Sequence, residues 1–372
     1  MPSFDVQVVG AGIVGRSLAL SLSRLGLSVA LRSAPASAQR ADVRAYALNA
    51  ASIALLQRLK VWAALPADAA TSVHDMIVAG DRATGQLEFS AWEQCVGELA
   101  VITDAAALEH ELDAALRFAP HVSRVDGNVP AALVAHCEGG AAASLDALDA
   151  GFERSDYGQK AIAARLVAST PHRHVARQWF RSPDVLALLP FDRPEPQRSY
   201  ALVWSLPSAR ADALQSLDAA AFERELADAL ASDAGSAVGT LRLGSERAAW
   251  PLVLGTVERW CGPGWVLLGD AAHVVHPLAG QGLNLGLADV AALSDVIAAR
   301  EPWRAPGDER LLRRYVRQRA APTWAMTRIT DGLLRLFAEP SAPVRELRNN
   351  GMGLVNRLSP LKRWLTARAL DS

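Results

Sequence analysis

A short apolar run ending in Gly10-Ala11-Gly12-Ile13-Val14-Gly15, which opens directly into a helix-periodic segment, constrains the fold of this chain more than any other feature. Phe4–Val9 reads as a buried strand, Ile13–Leu25 as a helix, and Ser28–Leu31, after Gly26, as a second strand. That is the opening βαβ unit of a dinucleotide-binding fold. Each glycine has its own reason to be there. Gly10 permits the tight turn, Gly12 lets backbone approach a pyrophosphate, and Gly15 allows the helix to pack closely on the strand. The phosphates would then lie on the helix N-terminus. An acidic residue about 20 positions further on is expected to hold a ribose hydroxyl. The second strand instead ends Ala30-Leu31-Arg32-Ser33. Arg32 reads equally as a partner for a 2′-phosphate, which points to NADP, or as a solvated surface arginine.

A second constellation lies two-thirds along the chain. Trp265–Leu268 reads as a short strand that ends in Gly269-Asp270, and the chain then runs through Pro277 and Gly280-Gln281-Gly282 into a helix near Leu283 and Asn284. This arrangement offers one carboxylate to a sugar-like hydroxyl and points a helix start, free of bulky side chains, at an electron-rich group. His273 and His276 stand three apart with no third ligand nearby, so they read as structural or hydrogen-bonding histidines and no metal site is expected.

Composition narrows the remaining classes. A chain of 372 residues suits two interlocked domains. A formal net charge of −1 carries no polyanion-binding signature, so nucleic acid is not an expected partner. Much of the 51% hydrophobic content is alanine, and no run of about 18 uncharged apolar residues occurs, so no spanning helix is expected. Asp5 interrupts the first apolar stretch and no basic lead-in precedes it, unlike a signal peptide. Cys95, Cys137 and Cys261 are far apart and form no CxxC pair, which fits a reducing cytoplasm.

Between the two constellations, Ala50–Leu59 reads as a helix and His74–Phe89 as two strands around Gly80-Asp81. Ala105–Phe118 is helical, with Leu108, Leu112, Ala115 and Leu116 as its stripe. Ser123–Ala150 is Ala/Gly-rich and gives no clear pattern. From Tyr157 the periodicity becomes that of strands: Ala161–Val167, His174–Phe180, Val185–Leu189 and Ser199–Ser205. Ala219–Leu230 is a helix, and the arginine-rich tail from Glu309 to Leu370 is helical with Pro322, Pro340, Pro343 and Pro360 as breakers.

Gly269-Asp270-Ala271-Ala272-His273, followed by Pro277, Gly280-Gln281-Gly282, Asn284, Gly286 and Asp289, closely resembles the flavin segment of the FAD-dependent aromatic hydroxylases. Arg44-Ala45-Tyr46-Ala47-Leu48 with Lys60-Val61-Trp62 resembles that family's early arginine region. Ser155–Ala161, Pro171-His172 and Leu188-Leu189-Pro190 resemble most its ubiquinone-biosynthesis branch. The resemblance covers nearly the whole chain. It implies an α/β protein: a Rossmann-like FAD-binding domain of the glutathione-reductase type (1–72, 98–150 and 255–308), interleaved with a smaller α+β substrate domain on an antiparallel or mixed sheet (73–97 and 151–254), and a helical C-terminal region (309–372).

By the same resemblance Asp270 holds the ribityl hydroxyls of FAD, while Pro277 and Gly280 to Gly282 line the ring. The amides near Leu283 and Asn284 face its pyrimidine carbonyl, and Arg44 lies near the pyrophosphate or the mobile ring, the alternative being a surface salt bridge. The implied activity is monooxygenation of a phenolic ring, a ubiquinone precursor above all, with NAD(P)H as reductant and O2 as oxygen source. No general base is named, and Trp179, Leu189 and Trp204 are candidate walls of the substrate cavity or plain core. The family's central Asp-Gly motif corresponds to Glu138-Gly139, and its Ser/Arg pair has no counterpart.

These departures leave a second reading open, a non-catalytic relative that acts as an accessory partner in a biosynthetic complex. An NADP-binding reductase, prompted by Arg32, is weaker because it leaves Asp270 unexplained. Leu354–Leu370, which mixes leucines with Arg357, Lys362, Arg363 and Arg368, reads either as docked on the protein or as contacting a membrane surface from the cytoplasm, where a polyprenylated substrate would lie.

Overall fold

The computed structural model describes residues 3–33, 42–80, 86–139, 148, 150–181, 183–231, 237–275 and 281–338. The chain opens as its sequence predicts: β1 (Phe4–Val9), α1 (Ile13–Arg24) and β2 (Val29–Arg32). It continues through β3 (Ala45–Leu48), α2 (Ala50–Arg58), β4 (Ala70–Val73), β5 (Asp75–Ala79), β6 (Gln86–Ser90), the short α3 (Ala91–Gln94) and β7 (Ala100–Asp104). Next come α4 (Ala105–Arg117), then β8 (Val122–Val125) and β9 (Ala131–His136) from the stretch that gave no clear pattern.

β10 (Phe152–Ala168), β11 (Val175–Arg181), β12 (Asp184–Phe191) and β13 (Ser199–Pro207) precede α5 (Ser208–Ser216) and α6 (Ala219–Ala229). The last strands are β14 (Leu241–Leu243), β15 (Ala248–Val257), β16 (Cys261–Gly262), β17 (Trp265–Leu267) and β18 (His273–Val274). Two helices close the described chain, α7 (Gln281–Ala298) and α8 (Glu309–Ala338).

Among the described residues the strands form three sheets. The first has the order β16-β17-β9-β1-β2-β8 and is parallel from β17 to β8. Its strands are continuous apolar runs because helices bury both faces; Val6, Val8, Val29, Leu133, Ala135 and Val266 are all at 0% exposure. The chain leaves β1 toward β2 on one side and returns at β9 on the other. The carboxyl ends of β1 and β9 therefore frame a crevice at a topological switch point, the usual place for a ligand in such a sheet.

The second sheet runs β18-β15-β10-β13-β12-β11-β5-β6, with β14 beside β10. Tyr200, Leu202, Trp204 and Leu206 of β13 and Ile162, Ala164 and Leu166 of β10 share one face, which α5 and α6 cover through Ala211, Leu214, Phe222 and Leu226. The opposite face turns toward a small antiparallel sheet, β3-β7-β4.

Two elements differ from the sequence expectation. β10 begins nine residues before Ala161, because Phe152–Lys160, polar and exposed enough to read as a loop, pairs along β15. α8 runs through Pro322 rather than breaking there. Its first turns are anchored by Leu311, Leu312 and Tyr315, all at 0% exposure and packed with α7, and that burial outweighs one missing N–H donor. Pro340, Pro343, Pro360 and the stretch Leu354–Leu370 lie outside the described residues.

Candidate functional site

The turn after β1 is closed by contacts that only glycine allows. Gly10 has φ +104°, and a Cβ there would stand 2.7 Å from the Cys137 carbonyl carbon. A Cβ on Gly15 would stand 1.8 Å from the Gly10 oxygen, so α1 touches β1 backbone to backbone. Gly12 is different. It caps α1 in extended conformation (φ −75°, ψ −175°), nothing lies within 4 Å of where its Cβ would be, no side chain caps the helix, and its first turn carries no acidic residue. A bare helix start facing open space is a fitting seat for a pyrophosphate.

Arg32, at the end of β2, is only 22% exposed and is already paired. Its Nη2 donates to Glu138 Oε1 at 3.0 Å, and its Nη1 bonds Asn128. Neither a free 2′-phosphate partner nor a solvated arginine describes it, because the Glu138 carboxylate neutralises its charge across the end of β1.

The second helix start lies beside the first. Gly269 follows β17 at φ +58°, a left-handed turn that suits glycine. Val14, one residue into α1, lies at 3.4 Å from the Cβ position of Gly269 and at 2.7 Å from that of Gly286 in α7. Gly269-Asp270, the first turn of α1 and the first turns of α7 therefore meet at one crevice. α7 begins at Gln281 with no acidic residue in its first turn, and the Gln281 Oε1 is buried without a hydrogen-bond partner among the described residues. Gln281 and Gly282 are half-buried, while Leu283 and Asn284 are buried. Pro277, Gly280 and His276 lie outside the described residues.

Asp270 is solvent-accessible, yet protein surrounds it closely enough that burial raises its carboxyl pKa, opposed by His273 and Arg44. Burial likewise pushes the Tyr46 phenol up to about 12, with Arg44 opposing and Asp42 and Asp270 adding. Asp270, Arg44 and Tyr46 are thus close enough to shift one another's ionisation. Arg44 is held by a bidentate pair with Asp42, Nε to Oδ1 at 2.9 Å and Nη2 to Oδ2 at 2.7 Å, with its guanidinium 5.8 Å from the Tyr46 ring centroid. Arg44 thus makes the salt bridge that was its alternative reading, within electrostatic reach of Asp270.

The Asn284 side chain serves the frame rather than the crevice. Its Oδ1 accepts from the Asn49 amide at 3.1 Å and from Ser52 Oγ at 2.8 Å, and its Nδ2 donates to the Ala47 carbonyl at 2.8 Å. It locks α7 to β3 and the start of α2. Asn284→Ala is expected to cost about 2 kcal/mol of stability, because buried partners lose their bonds, and chemical denaturation checks it.

His273 is a hydrogen-bonding histidine, as its spacing suggests. Its Nε2 lies 2.7 Å from Asp289 Oδ2, and among the described residues no cluster of three or more metal-ligating side chains occurs. Asp289 was left without a role by the sequence argument, although an aspartate inside the apolar run of α7 is a usable signal. Burial pushes its pKa up, but His273 and Arg319 outweigh that and hold it below the ordinary carboxylate value.

The second sheet corrects one expectation. Trp179 and Trp204 lie on the face covered by α5 and α6, with Trp204 edge-on to Phe222 at 6.2 Å, so they are core and not substrate walls. Leu189 does lie on the opposite face, in one row with Ala201 and Arg165. Arg165, which the sequence argument missed, is 6% exposed; it donates to the Arg44 carbonyl at 2.7 Å, pairs with Asp104 at 3.3 Å and stacks over Phe191 at 4.2 Å. Burial lowers its pKa to about 10 against the pull of Asp104. A lone arginine in the apolar strand Ala161–Val167 was the available signal.

The model of the FAD-binding domain family matches residues 3–100 and 98–330. Ubiquinone hydroxylase UbiL of Rhodospirillum rubrum is 31% identical over 99% of this chain and 90% of its own length. 3-demethoxyubiquinol 3-hydroxylase of Escherichia coli is 30% identical over 98% of each chain. In fold, the chain is similar to PqsL of Pseudomonas aeruginosa, solved in complex with 2-aminobenzoylacetate (TM-score 0.76, 22% identity, 94% of this chain and 99% of that one).

Proposed function

Because this chain belongs to the FAD-binding-domain family of flavin-dependent aromatic hydroxylases, in its ubiquinone-biosynthesis branch, we propose that the crevice between α1, α7 and Asp270 holds FAD and serves hydroxylation of a phenolic ring. FAD, reduced by NAD(P)H, supplies the oxygen-activating chemistry; the protein binds, orients and excludes water. The substrate is a ubiquinone-type phenol, and O2 is the second substrate. Similarity along nearly the whole chain to named hydroxylases does not favour the accessory-partner alternative.

The observation that carries this reading is the meeting of two helix starts, neither with an acidic residue in its first turn, with one accessible carboxylate. In it, Gly10 and Gly15 close the turn and Gly12 leaves room for the pyrophosphate, on which Arg44 bears. Asp270 accepts from the ribityl hydroxyls. Gln281 and Gly282, with Pro277 and Gly280, border the ring, and the Leu283 and Asn284 amides lend it the positive end of α7. The division into segments 1–72, 98–150 and 255–308 for FAD, 73–97 and 151–254 for substrate, and a helical tail belongs to the same reading. The substrate lies against the face of the second sheet that bears Leu189, Ala201 and Arg165. No described helix is long and apolar enough to cross a membrane. A peripheral contact, through which a polyprenylated substrate would arrive, is supported by Trp324 of α8, 64% exposed with the Arg328 guanidinium 5.6 Å from its ring.

Asp270→Asn tests the site. FAD affinity should fall about ten- to hundredfold with loss of a charge-assisted hydrogen bond. A yellow wild type that oxidises NAD(P)H in response to a phenol supports the proposal. A colourless wild type that FAD cannot reconstitute overturns it.

A further inference from the structure

The loop that carries Asp270 is held from the tail helix. Tyr315 and Arg319, one turn apart on α8, reach its two ends. Tyr315 Oη donates to the Leu267 carbonyl at 3.0 Å, just before the loop. Arg319 Nε donates to Asp289 Oδ1 at 2.7 Å, and Asp289 Oδ2 accepts from the Gly269 N–H at 3.0 Å and from His273 Nε2 at 2.7 Å. Arg319 Nη2 adds a 3.3 Å bond to the Leu285 carbonyl of α7. The Trp260 ring lies against both His273 and Tyr315, at 5.3 and 6.3 Å. Tyr315 and Asp289 are at 0% exposure and His273 at 2%.

Gly269 and His273 bracket Asp270, and both take their orientation from the Asp289 carboxylate. That carboxylate is compensated by Arg319, a residue of a different element 30 positions away. A buried carboxylate that loses its cationic partner must move toward water or take up a proton. If it moves, the Gly269 N–H loses its acceptor, and if it is protonated that N–H keeps only a weaker, neutral one; in either case the hold on the peptide that aims Asp270 loosens.

We infer that α8 is a positioning element for the flavin site, with Arg319 as its positioning residue, so that docking of this helix and binding of FAD reinforce each other through Asp289. The inference rests on the FAD reading proposed above and adds to it a regulatory handle: whatever loosens or secures α8 changes the grip on FAD. Coupling of this kind is reciprocal, so the factor by which α8 tightens FAD equals the factor by which FAD secures α8.

The full-length protein tests this in two ways. Hydrogen exchange of the 309–320 amides, measured on wild type with and without FAD, should slow by about tenfold when FAD is bound. Fluorescence titration with FAD should show Arg319→Gln weaker by about tenfold. Arg319→Lys, which keeps the charge but not both donors, should fall between, and the flavin midpoint potential should shift in the same order. Unchanged exchange in wild type that binds FAD overturns the coupling. So does folded Arg319→Gln with wild-type FAD affinity. If that variant fails to fold, the wild-type exchange alone decides. A wild type that takes up no FAD overturns the proposed function itself, and the coupling with it.

Discussion

Asp289→Ala is expected to destabilise the protein by about 3–5 kcal/mol, because it leaves a buried arginine without its counter-charge. The carboxylate is fully buried and accepts from Gly269, His273 and Arg319, the last only 12% exposed at its side chain. Alanine removes all three bonds at once and leaves a void inside α7, where Asp289 is fully buried. Denaturant unfolding at neutral pH should show the loss, and a difference under about 1 kcal/mol would contradict the structure.

The pH dependence has a definite sign. The folded pKa of Asp289 lies below its ordinary value, so its contribution is complete above roughly pH 3.9 and disappears as pH falls through the folded value. The gap between wild type and Asp289→Ala should therefore stay constant across the neutral range and close in acid. A gap that widened on acidification would contradict the assignment.

Gly15→Ala and Gly12→Ala should behave oppositely although they lie three residues apart. A methyl on Gly15 meets the Gly10 oxygen at 1.8 Å, a main-chain atom that cannot turn aside. The crossing of α1 over β1 must open, at a cost of about 3 kcal/mol or more. A methyl on Gly12 meets nothing and sits at an ordinary φ, so stability should change by less than about 0.5 kcal/mol. The same methyl projects into the space where a pyrophosphate would lie, and FAD affinity should fall by about tenfold or more. Paired thermal unfolding and flavin titration separate the two outcomes. If Gly12→Ala keeps full FAD affinity, the phosphates are not seated on α1.

The parts of the site legible in the sequence are those in which one short segment contains both the structure and its reason. Phe4–Val9 with Gly10, Gly12 and Gly15 is such a segment, and so is the strand–turn–helix around Gly269 and Asp270. The resemblance carried by these residues by itself implies FAD. What was illegible shares one cause: it depends on which elements become neighbours. Trp179 and Trp204 were sound candidates for an inner face by alternation alone. Alternation says which residues share a face; it does not say which face two helices will cover.

Arg165 and Asp104 are 61 positions apart, and Arg32 and Glu138 are 106 apart. Such pairings follow from strand order, which periodicity does not encode. Phe152–Lys160 is a strand through its partner β15, and α8 passes Pro322 because α7 buries its flank.

The sequence by itself determined the nucleotide fold, the two helix starts and the carboxylate between them, since turn geometry and helix dipoles act over a few residues. Only the tertiary structure decided that the Arg32 charge is spent on Glu138, that Asn284 belongs to the frame, and that the tail helix grips the Asp270 loop through Asp289. Buried charges and amides must find partners wherever the folded chain brings them, and distance along the sequence has no part in that requirement.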